Sequence, residues 1–319
     1  MSEAPGTDAG AGGESTGPTP VVYATDIGDD VDDTWALAQL LRTPGLDLRL
    51  VLTETGDPTY RASVAAKLLE RADRTDVPVG LGAGDGGTDA TGRNQDPWVD
   101  DYDLDGYPGE IREDGVGALL DVVEGAEDPV TVVSVAPTPT LAAAVERNPG
   151  FAEDCRFVGM HGSFYRGYGG GDPDAETNVR VDPAALRTVL GAPWRDVLLT
   201  PLDTCGRVTL SGERYHAVWS ATDDPLVRGV VENNCVFATR VDWMDYGDFT
   251  RRSSTLFDTV AVYLARDESL VETERLRFDV TDDGFTVPDS DGAFEARVAL
   301  DWTDRDAFEA HLVDVLVGG

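Results

Sequence analysis

Hydrophobic and polar positions change their spacing repeatedly along this chain from residue 21 onward. Short continuous apolar runs are typical of strands buried on both faces and predict strands over 21–25, 48–53, 77–81, 130–135, 157–160 and 197–199. Between them, apolar residues at helical spacing predict helices over 33–41, 60–72, 116–123, 141–147 and 183–190. Alternating strands and helices indicate βαβ crossovers. The pattern therefore predicts a single α/β domain with a mainly parallel, Rossmann-type open sheet flanked by helices.

The chain ends with a different pattern. Strands are predicted over 276–280, 285–287 and 296–302, followed by a closing helix over 304–317. The sequence Asp282-Asp283-Gly284 is typical of a hairpin turn between the first two of these strands. The pattern predicts a small β-rich C-terminal addition to the domain.

Three segments lack either periodicity. Residues 82–109 and 162–174 are rich in glycine and carry aromatic side chains, which simple linkers seldom have, so we expect functional loops, the second a mobile lid. Residues 1–20 are rich in Gly, Ser, Thr and Pro, without a basic or apolar region. They predict a disordered N-terminal segment rather than a signal peptide, followed by one domain over 21–319.

Charge narrows the range of partners. The sequence has 60 Asp plus Glu against 25 Lys plus Arg, a formal net charge of −35. A surface this acidic repels phosphates, so we expect neither nucleic acid nor an anionic membrane as a partner. Lys67 is the only lysine. Many carboxylates with almost no lysine predict a halophilic protein, because salt screens the repulsion between like charges.

Cysteine spacing and apolar run length bear on the compartment. Cys155, Cys205 and Cys235 have the spacing of neither a disulfide framework nor a metal site, which favours free thiols in a reducing cytoplasm. No apolar run reaches the ~18 residues that a membrane-spanning helix needs. We therefore expect a cytoplasmic protein.

The segment 26–33 (DIGDDVDD) brings five carboxylates into eight residues. It follows a predicted strand and precedes a predicted helix, and ligands bind α/β proteins at the carboxyl ends of parallel strands. Clustered carboxylates repel one another unless water or a cation neutralises them. Oxygen donors without His or Cys favour a hard cation, Ca²⁺ before Mg²⁺. The alternative is an acidic helix N-terminus on an acidic surface.

This segment resembles the N-terminal signature of the nucleoside hydrolases of the inosine–uridine type. Further segments are similar in the same order: APTPTLA over 136–142, GM over 159–160, AETN over 175–178 with DP over 182–183, and LFD over 256–258 with AV over 261–262. The resemblance covers residues 21–316. It implies a nucleoside hydrolase-like catalytic domain that cleaves the N-glycosidic bond of ribonucleosides in a Ca²⁺-dependent reaction, giving free base and ribose.

The resemblance also implies roles for individual residues. The implied cation ligands are the carboxylates of Asp26, Asp33 and Asp258 and the backbone carbonyl of Val135. Asp26 would also take the proton of the attacking water as general base. The implied sugar contacts are Asp32, Asp57, Met160, Glu176 and Asn178, and an extended segment would place the last two on one face. Carboxylates suit this reaction because an oxocarbenium-like transition state develops positive charge.

Position 257 departs from the family pattern. The inosine–uridine enzymes have a His there, which is read as the acid that protonates the leaving base, and Phe257 has no proton to donate. Aromatic stacking on the base and an acid on the glycine-rich loop are two substitutes. Candidates for stacking are Trp98, Trp243 and Tyr246, and candidates for the acid are His161, Tyr165 and Tyr168.

Two alternatives stay open at this point. The substrate could be a non-standard N-riboside, such as a nicotinamide-type nucleoside, or the protein could be a non-catalytic Ca²⁺-dependent ribose-binding protein. In either case the partner is a small molecule. The resemblance implies a homo-oligomer, either a dimer or a tetramer.

Overall fold

The computed structural model describes residues 17–83 and 92–318. The strands are β1 Thr19–Thr25, β2 Leu46–Thr53, β3 Val79–Gly80, β4 Ile111–Arg112, β5 Val130–Ser134, β6 Cys155–Gly159, β7 Asp196–Leu199, β8 Val271–Val280, β9 Thr286–Pro288 and β10 Phe294–Trp302. The helices are α1 Asp32–Arg42, α2 Pro58–Arg71, α3 Asp96–Val99, α4 Gly115–Gly125, α5 Pro139–Arg147, α6 Thr177–Val181, α7 Pro183–Leu190, α8 Gly212–Ser220, α9 Pro225–Phe237, α10 Tyr246–Phe249, α11 Asp258–Leu264 and α12 Arg305–Val317.

The ten strands of the described part of the chain form one sheet, in the order β4-β3-β2-β1-β5-β6-β7-β10-β8-β9. Neighbours from β4 to β10 are parallel. The chain first builds outward from β1 through β2, β3 and β4, and then places β5 on the other side of β1. The topological switch point therefore lies between β1 and β5, where open α/β sheets bind ligands at their carboxyl ends.

Alternating side chains of the central strand β1 enter two cores. Val21 and Tyr23 pack in the core on one face of the sheet, and Val22 and Ala24 pack in the core on the other. All four side chains are fully buried. A strand covered by helices on both faces must be apolar throughout, which explains the continuous apolar run in the sequence.

The C-terminal strands extend the main sheet and are not a separate addition. β10 pairs in parallel with β7 and antiparallel with β8, and β9 pairs antiparallel with β8. The predicted hairpin turn is present, and Gly284 adopts a φ of +89°. Helix α12 packs against α1 and α8. The prediction of a single α/β domain with a mainly parallel sheet is confirmed, with its β-rich end built into that sheet.

Aspartates cap many of the helices. The side chains that accept hydrogen bonds from first-turn N–H groups are those of Asp57, Asp114, Asp182, Asp224 and Asp304. A carboxylate there satisfies N–H groups that have no partner within the helix. Part of the acidic composition therefore has a structural use, independent of any site.

Element boundaries differ from the predictions in a few places. The strand predicted over 77–81 is only Val79–Gly80, because Pro78 has no N–H to donate to the ladder. β1 begins at Thr19, two residues before the predicted start. Of the segments predicted to be irregular, residues 1–16 and 84–91 lie outside the described residues. Within the described ranges, no helix has the length and apolar character needed to cross a membrane.

Candidate functional site

The acidic segment is held between β1, which ends at Thr25, and α1, which begins at Asp32. Gly28 turns the chain between them with a φ of +110°, and a Cβ at this position would lie 2.6 Å from the ring of Tyr60. The Tyr60 hydroxyl donates to the Gly28 carbonyl oxygen at 2.8 Å. Both the dihedral angle and the close approach therefore require glycine.

Three buried carboxylates converge beside this turn. Oxygens of Asp32, Asp33 and Asp258 lie within 4.8 Å of one another, and each residue is at most 3% exposed. Asp32 and Asp33 begin α1, and Asp258 begins α11, which packs against α1. The Asp258 N–H donates to Asp32 Oδ2 at 3.4 Å, and the Thr25 hydroxyl donates to Asp33. The fold thus brings together carboxylates that lie 226 positions apart.

The electrostatics of this group favour a bound cation. Burial, reinforced by the neighbouring carboxylates, raises the pKa values of Asp32, Asp33 and Asp258 well above their ordinary range. Burial also raises the pKa of Asp26, and it raises the pKa of Asp29 to about 7. A divalent cation would supply the missing positive charge. Asp32, Asp33 and Asp258 could hold a metal ion, and their all-oxygen chemistry fits a hard one.

A buried arginine supports the acidic segment from behind. Arg61 is 1% exposed. Its guanidinium donates to the carbonyl oxygens of Asp26, of Ile27 at 3.1 Å and of Thr55 at 2.5 Å. Its charge lowers the pKa values of Asp26 and Asp29 against the effect of burial. Arg61 therefore fixes the main chain of the turn through carbonyl groups.

The ends of β5 and β6 supply a second part of the site. The Asn178 side-chain amide donates to the carbonyl oxygens of Val135 at 3.2 Å and Met160 at 3.0 Å. Glu176 accepts from the N–H groups of Gly162 at 3.0 Å and Asn178 at 2.7 Å, and burial raises its pKa to about 7. The expectation of an extended segment is wrong, because Glu176 caps the short helix α6. Glu176 and Asn178 nevertheless line the same cleft.

All these groups open into one cleft of about 240 Å³. Its acidic lining consists of Asp26, Asp29, Asp30, Asp32, Asp33, Glu176 and Asp258. Its aromatic lining consists of Tyr168, Phe237, Val241, Trp243 and Phe257. The remaining lining residues are Asn94, Val135, Met160, Thr177 and Asn178. The cleft thus combines a strongly anionic surface with an apolar one.

Contacts within the aromatic lining fix its shape. Tyr168 meets Phe257 edge to face, with ring centroids 6.0 Å apart. The Tyr168 hydroxyl accepts from the Thr177 N–H at 3.1 Å and shares a hydrogen bond of 2.9 Å with the Thr177 hydroxyl. Trp243 packs edge to face on Phe237 and remains 58% exposed. An exposed indole at the mouth of a cleft offers a flat apolar surface to a ligand.

Five residues with predicted site roles do not line the cleft, as far as the structure describes it: Asp57, Trp98, His161, Tyr165 and Tyr246. The Trp98 indole N–H donates to Glu232 at 3.0 Å, and its ring is buried in the core. The fully buried His161 donates from Nε2 to the Ala136 carbonyl at 3.0 Å. Burial lowers the pKa of His161 to about 4, so its ring is neutral and has no acidic proton to give at neutral pH.

The other three face solvent or serve the fold. Asp57 caps α2 and forms an ion pair with Arg93. Tyr165 is 54% exposed and Tyr246 is 56% exposed. The backbone N–H of Tyr165 donates to the buried Asp203 at 2.9 Å. Asp203 also accepts from the next two main-chain N–H groups in the same loop, at 2.9 and 3.1 Å, and so anchors the start of that loop.

Sequence reasoning missed several residues of the cleft. They are Asn94, Thr177, Phe237 and Val241, while Asp29 and Asp30 were noticed only as members of the acidic run. Asn94 is positioned by its amide, which donates to the Asp29 carboxylate at 3.1 Å. Phe237 is the last residue of α9, and nothing in its sequence neighbourhood signals a ligand. These residues are identified by tertiary placement alone.

A larger groove of about 840 Å³ lies elsewhere on the sheet, lined in part by Asp47, Arg49, Asp76, Arg112 and Asp121. It borders the amino ends of β1 and β2. Its charged groups have both signs, and several of them pair with each other, as Arg112 does with Asp121. The smaller cleft at the carboxyl ends of the strands is the better candidate, because its charges are of one sign and buried.

Comparisons with known proteins agree with this location. The model of the family described as inosine-uridine preferring nucleoside hydrolase matches residues 21–310. The non-specific ribonucleoside hydrolase RihC of Salmonella enteritidis PT4 is 30% identical over 199 residues, 60% of this chain and 63% of that protein. RihC of Klebsiella pneumoniae is 27% identical over 201 residues, 61% of this chain and 64% of that protein. This chain therefore matches less than two thirds of the length of these relatives.

Solved structures share the fold across nearly the whole chain. The inosine-uridine preferring nucleoside hydrolase from Bacillus anthracis has a TM-score of 0.76 at 17% identity, covering 94% of this chain and 100% of that one. The plant nucleoside hydrolase PpNRh1 has a TM-score of 0.72 at 22% identity, covering 95% of this chain and 100% of that one. At these identities the likeness concerns the fold, and it confirms the predicted architecture.

Proposed function

This chain belongs to the inosine-uridine preferring nucleoside hydrolase family, and we propose that it hydrolyses the N-glycosidic bond of ribonucleosides to free base and ribose. The observation that carries the proposal is the convergence, in one cleft, of Asp26 and the Asp32, Asp33 and Asp258 group with Glu176 and Asn178. Water must attack the anomeric carbon while that carbon gains positive charge, and a cleft lined by carboxylates stabilises such charge.

We further propose Ca²⁺ as the cofactor, with Mg²⁺ second. Asp33, Asp258 and Asp26 would hold it with the Val135 carbonyl, and Asp32 lies in the same oxygen group. These all-oxygen donors, drawn from four places in the chain, suit the irregular coordination of Ca²⁺ better than the strict octahedron of Mg²⁺. Bound there, the ion would lower the pKa of a coordinated water.

The protein's own side chains then carry the remaining steps. Asp26 accepts the proton of the attacking water as general base, and it is suited to this because burial raises its pKa from the ordinary value. Asn178 is oriented by the carbonyl oxygens of Val135 and Met160, and with Glu176 it would bind ribose hydroxyls. The negative charge of the acidic lining stabilises the cationic sugar ring.

The wider context also remains a proposal. We propose a cytoplasmic, salt-adapted homo-oligomer that acts on small molecules. The net charge of −35 and the single lysine support adaptation to salt. Assays should therefore be run in molar salt, where repulsion between the carboxylates is screened.

Replacing the general base tests the proposal. We expect Asp26→Asn to lower kcat by at least about 100-fold, because it removes the base and weakens metal binding. Base release from a nucleoside panel measures this, with Ca²⁺ and with a chelator. Glu213→Gln removes one exposed charge in the first turn of α8 and serves as the matched control. Nucleoside binding with no base release by the wild type would instead identify a ribose-binding protein.

A further inference from the structure

The aromatic lining provides no acid for a departing base. Its residues are Tyr168, Phe237, Val241, Trp243 and Phe257, of which only Tyr168 carries an ionisable proton. The Tyr168 hydroxyl is already bonded to Thr177, and burial together with Glu176 raises its pKa. His161 is buried and directed at the Ala136 carbonyl. In the described part of the cleft, no Lys, Arg or His lines the surface.

The electrostatics of the cleft select among leaving groups. Seven carboxylates line it, so it attracts cations and disfavours anions, including any nucleoside that carries a phosphate. Trp243 presents an exposed ring at the same cleft, and an indole face binds cations better than other aromatic rings do. Both features favour a ligand whose base carries positive charge.

We propose that the preferred substrates are ribosides of permanently cationic bases, such as pyridinium or N7-alkylated purine ribosides, rather than neutral nucleosides. In the reaction, the bond from the anomeric carbon to nitrogen breaks and its electron pair cancels the positive charge on the base. The water oxygen bonds to the anomeric carbon, and its proton passes to Asp26 and on to solvent. The base leaves neutral without a proton donor. This inference rests on the proposed function and specifies its substrate class.

A matched pair of substrates tests it. Guanosine and 7-methylguanosine differ by one methyl group and one charge, and a general acid contributes about 100-fold or more where it is needed. We expect kcat/KM for 7-methylguanosine to exceed that for guanosine by at least about 100-fold. Because 7-methylguanosine is intrinsically more labile, variants are needed to attribute the difference to the missing acid.

Phe257→His and Phe257→Leu provide that comparison. We expect the histidine variant to raise guanosine turnover and to lower the ratio by about 10-fold or more, because it supplies a proton that only the neutral base needs. The leucine variant adds no acid, so its ratio should stay on the wild-type side. An independent measurement on the wild type is the inhibition constant of guanosine against 7-methylguanosine, which should exceed the KM of the cation by about 10-fold.

The outcomes separate this inference from the proposed function. Guanosine hydrolysed as well as 7-methylguanosine overturns the inference and leaves the function standing. A large ratio that is identical in the histidine and leucine variants also overturns it, since intrinsic lability would then explain the preference. If the variants fail to fold, a guanosine inhibition constant at or below the KM of the cation overturns it. Hydrolysis of neither substrate in the presence of Ca²⁺ overturns the proposed function and the inference with it.

Discussion

The acidic and aromatic linings of the cleft are built in different ways. The acidic lining comes from residues that directly follow or begin regular elements, such as Asp26 after β1 and Asp258 at the start of α11. Most of the aromatic lining comes from a loop after β6, the end of α9 and the segment that follows it, including Tyr168, Phe237 and Trp243. The first is fixed by sheet topology, and the second by loop packing.

This difference separates what is general in the site from what is particular. Strand ends at a topological switch point are held by the sheet, so side chains there keep their geometry. Loops vary more easily, and they carry the contacts that distinguish one ligand from another. We therefore expect changes behind the acidic lining to affect stability and every substrate, and changes in the aromatic lining to affect substrate choice.

Removing the arginine behind the acidic lining should have the largest effect on stability. Arg61→Met leaves the buried carbonyl oxygens of Asp26, Ile27 and Thr55 without their donor. Unsatisfied buried acceptors cost about 1–3 kcal/mol each, so we expect the free energy of unfolding to fall by about 3 kcal/mol. Urea denaturation in molar salt with a chelator measures it.

The control for this change is Arg275→Met. Arg275 forms a pair with Glu295 at 3.0 Å and its side chain is 65% exposed. Exposed pairs contribute at most about 1 kcal/mol, so this variant should unfold close to the wild type. Equal losses in the two variants would contradict a special role for Arg61 in supporting the acidic segment.

Truncating the indole should have a smaller effect, confined to binding. Trp243→Leu removes the exposed ring from the aromatic lining, and we expect KM for the best substrate of the panel to rise by about 10-fold, with a small change in kcat. Tyr246→Leu is the comparison, because Tyr246 is equally exposed but does not line the described cleft. Steady-state kinetics measures both. A rise in KM for Tyr246→Leu alone would contradict the assignment of Trp243.

The acidic lining could be predicted largely from local sequence, and the aromatic lining could not. Asp26, Asp32 and Asp33 lie between an apolar strand and an amphipathic helix, so their place at the carboxyl end of a strand followed from the pattern. Asp258 is 226 positions from Asp32, and only the resemblance to a family pointed to it. No local pattern encodes that α1 packs against α11.

Aromatic residues gave the weakest predictions because their sequence context did not separate core from ligand contact. Trp98 and Trp243 are both tryptophans in polar, irregular stretches, and either could have stacked on a base. The structure places Trp98 in the core, bonded to Glu232, and Trp243 at the cleft. The difference depends on how α3 packs between α2 and α9, which is a tertiary property.

The smallest predicted effect concerns Glu54, a buried carboxyl behind the acidic lining. Glu54 accepts from the N–H groups of Thr140 at 2.8 Å and Leu141 at 3.3 Å, yet burial raises its pKa from 4.5 to about 8. A carboxyl with a raised folded-state pKa is favoured in its neutral form. Its contribution to stability is therefore present below about pH 4.5 and is lost as the pH rises through about 8.

Glu54→Gln keeps the shape but cannot ionise. We expect its melting temperature, relative to the wild type, to become steadily more favourable as the pH rises from 5 to about 9, because only the wild type must keep a buried carboxyl from ionising. Thermal unfolding at a series of pH values, with a chelator present, measures the difference. Glu213→Gln, at an exposed position, should give a difference that does not vary with pH. A flat difference for Glu54→Gln would mean that the carboxyl is ionised in the fold, and that the charge behind the acidic lining is greater by one.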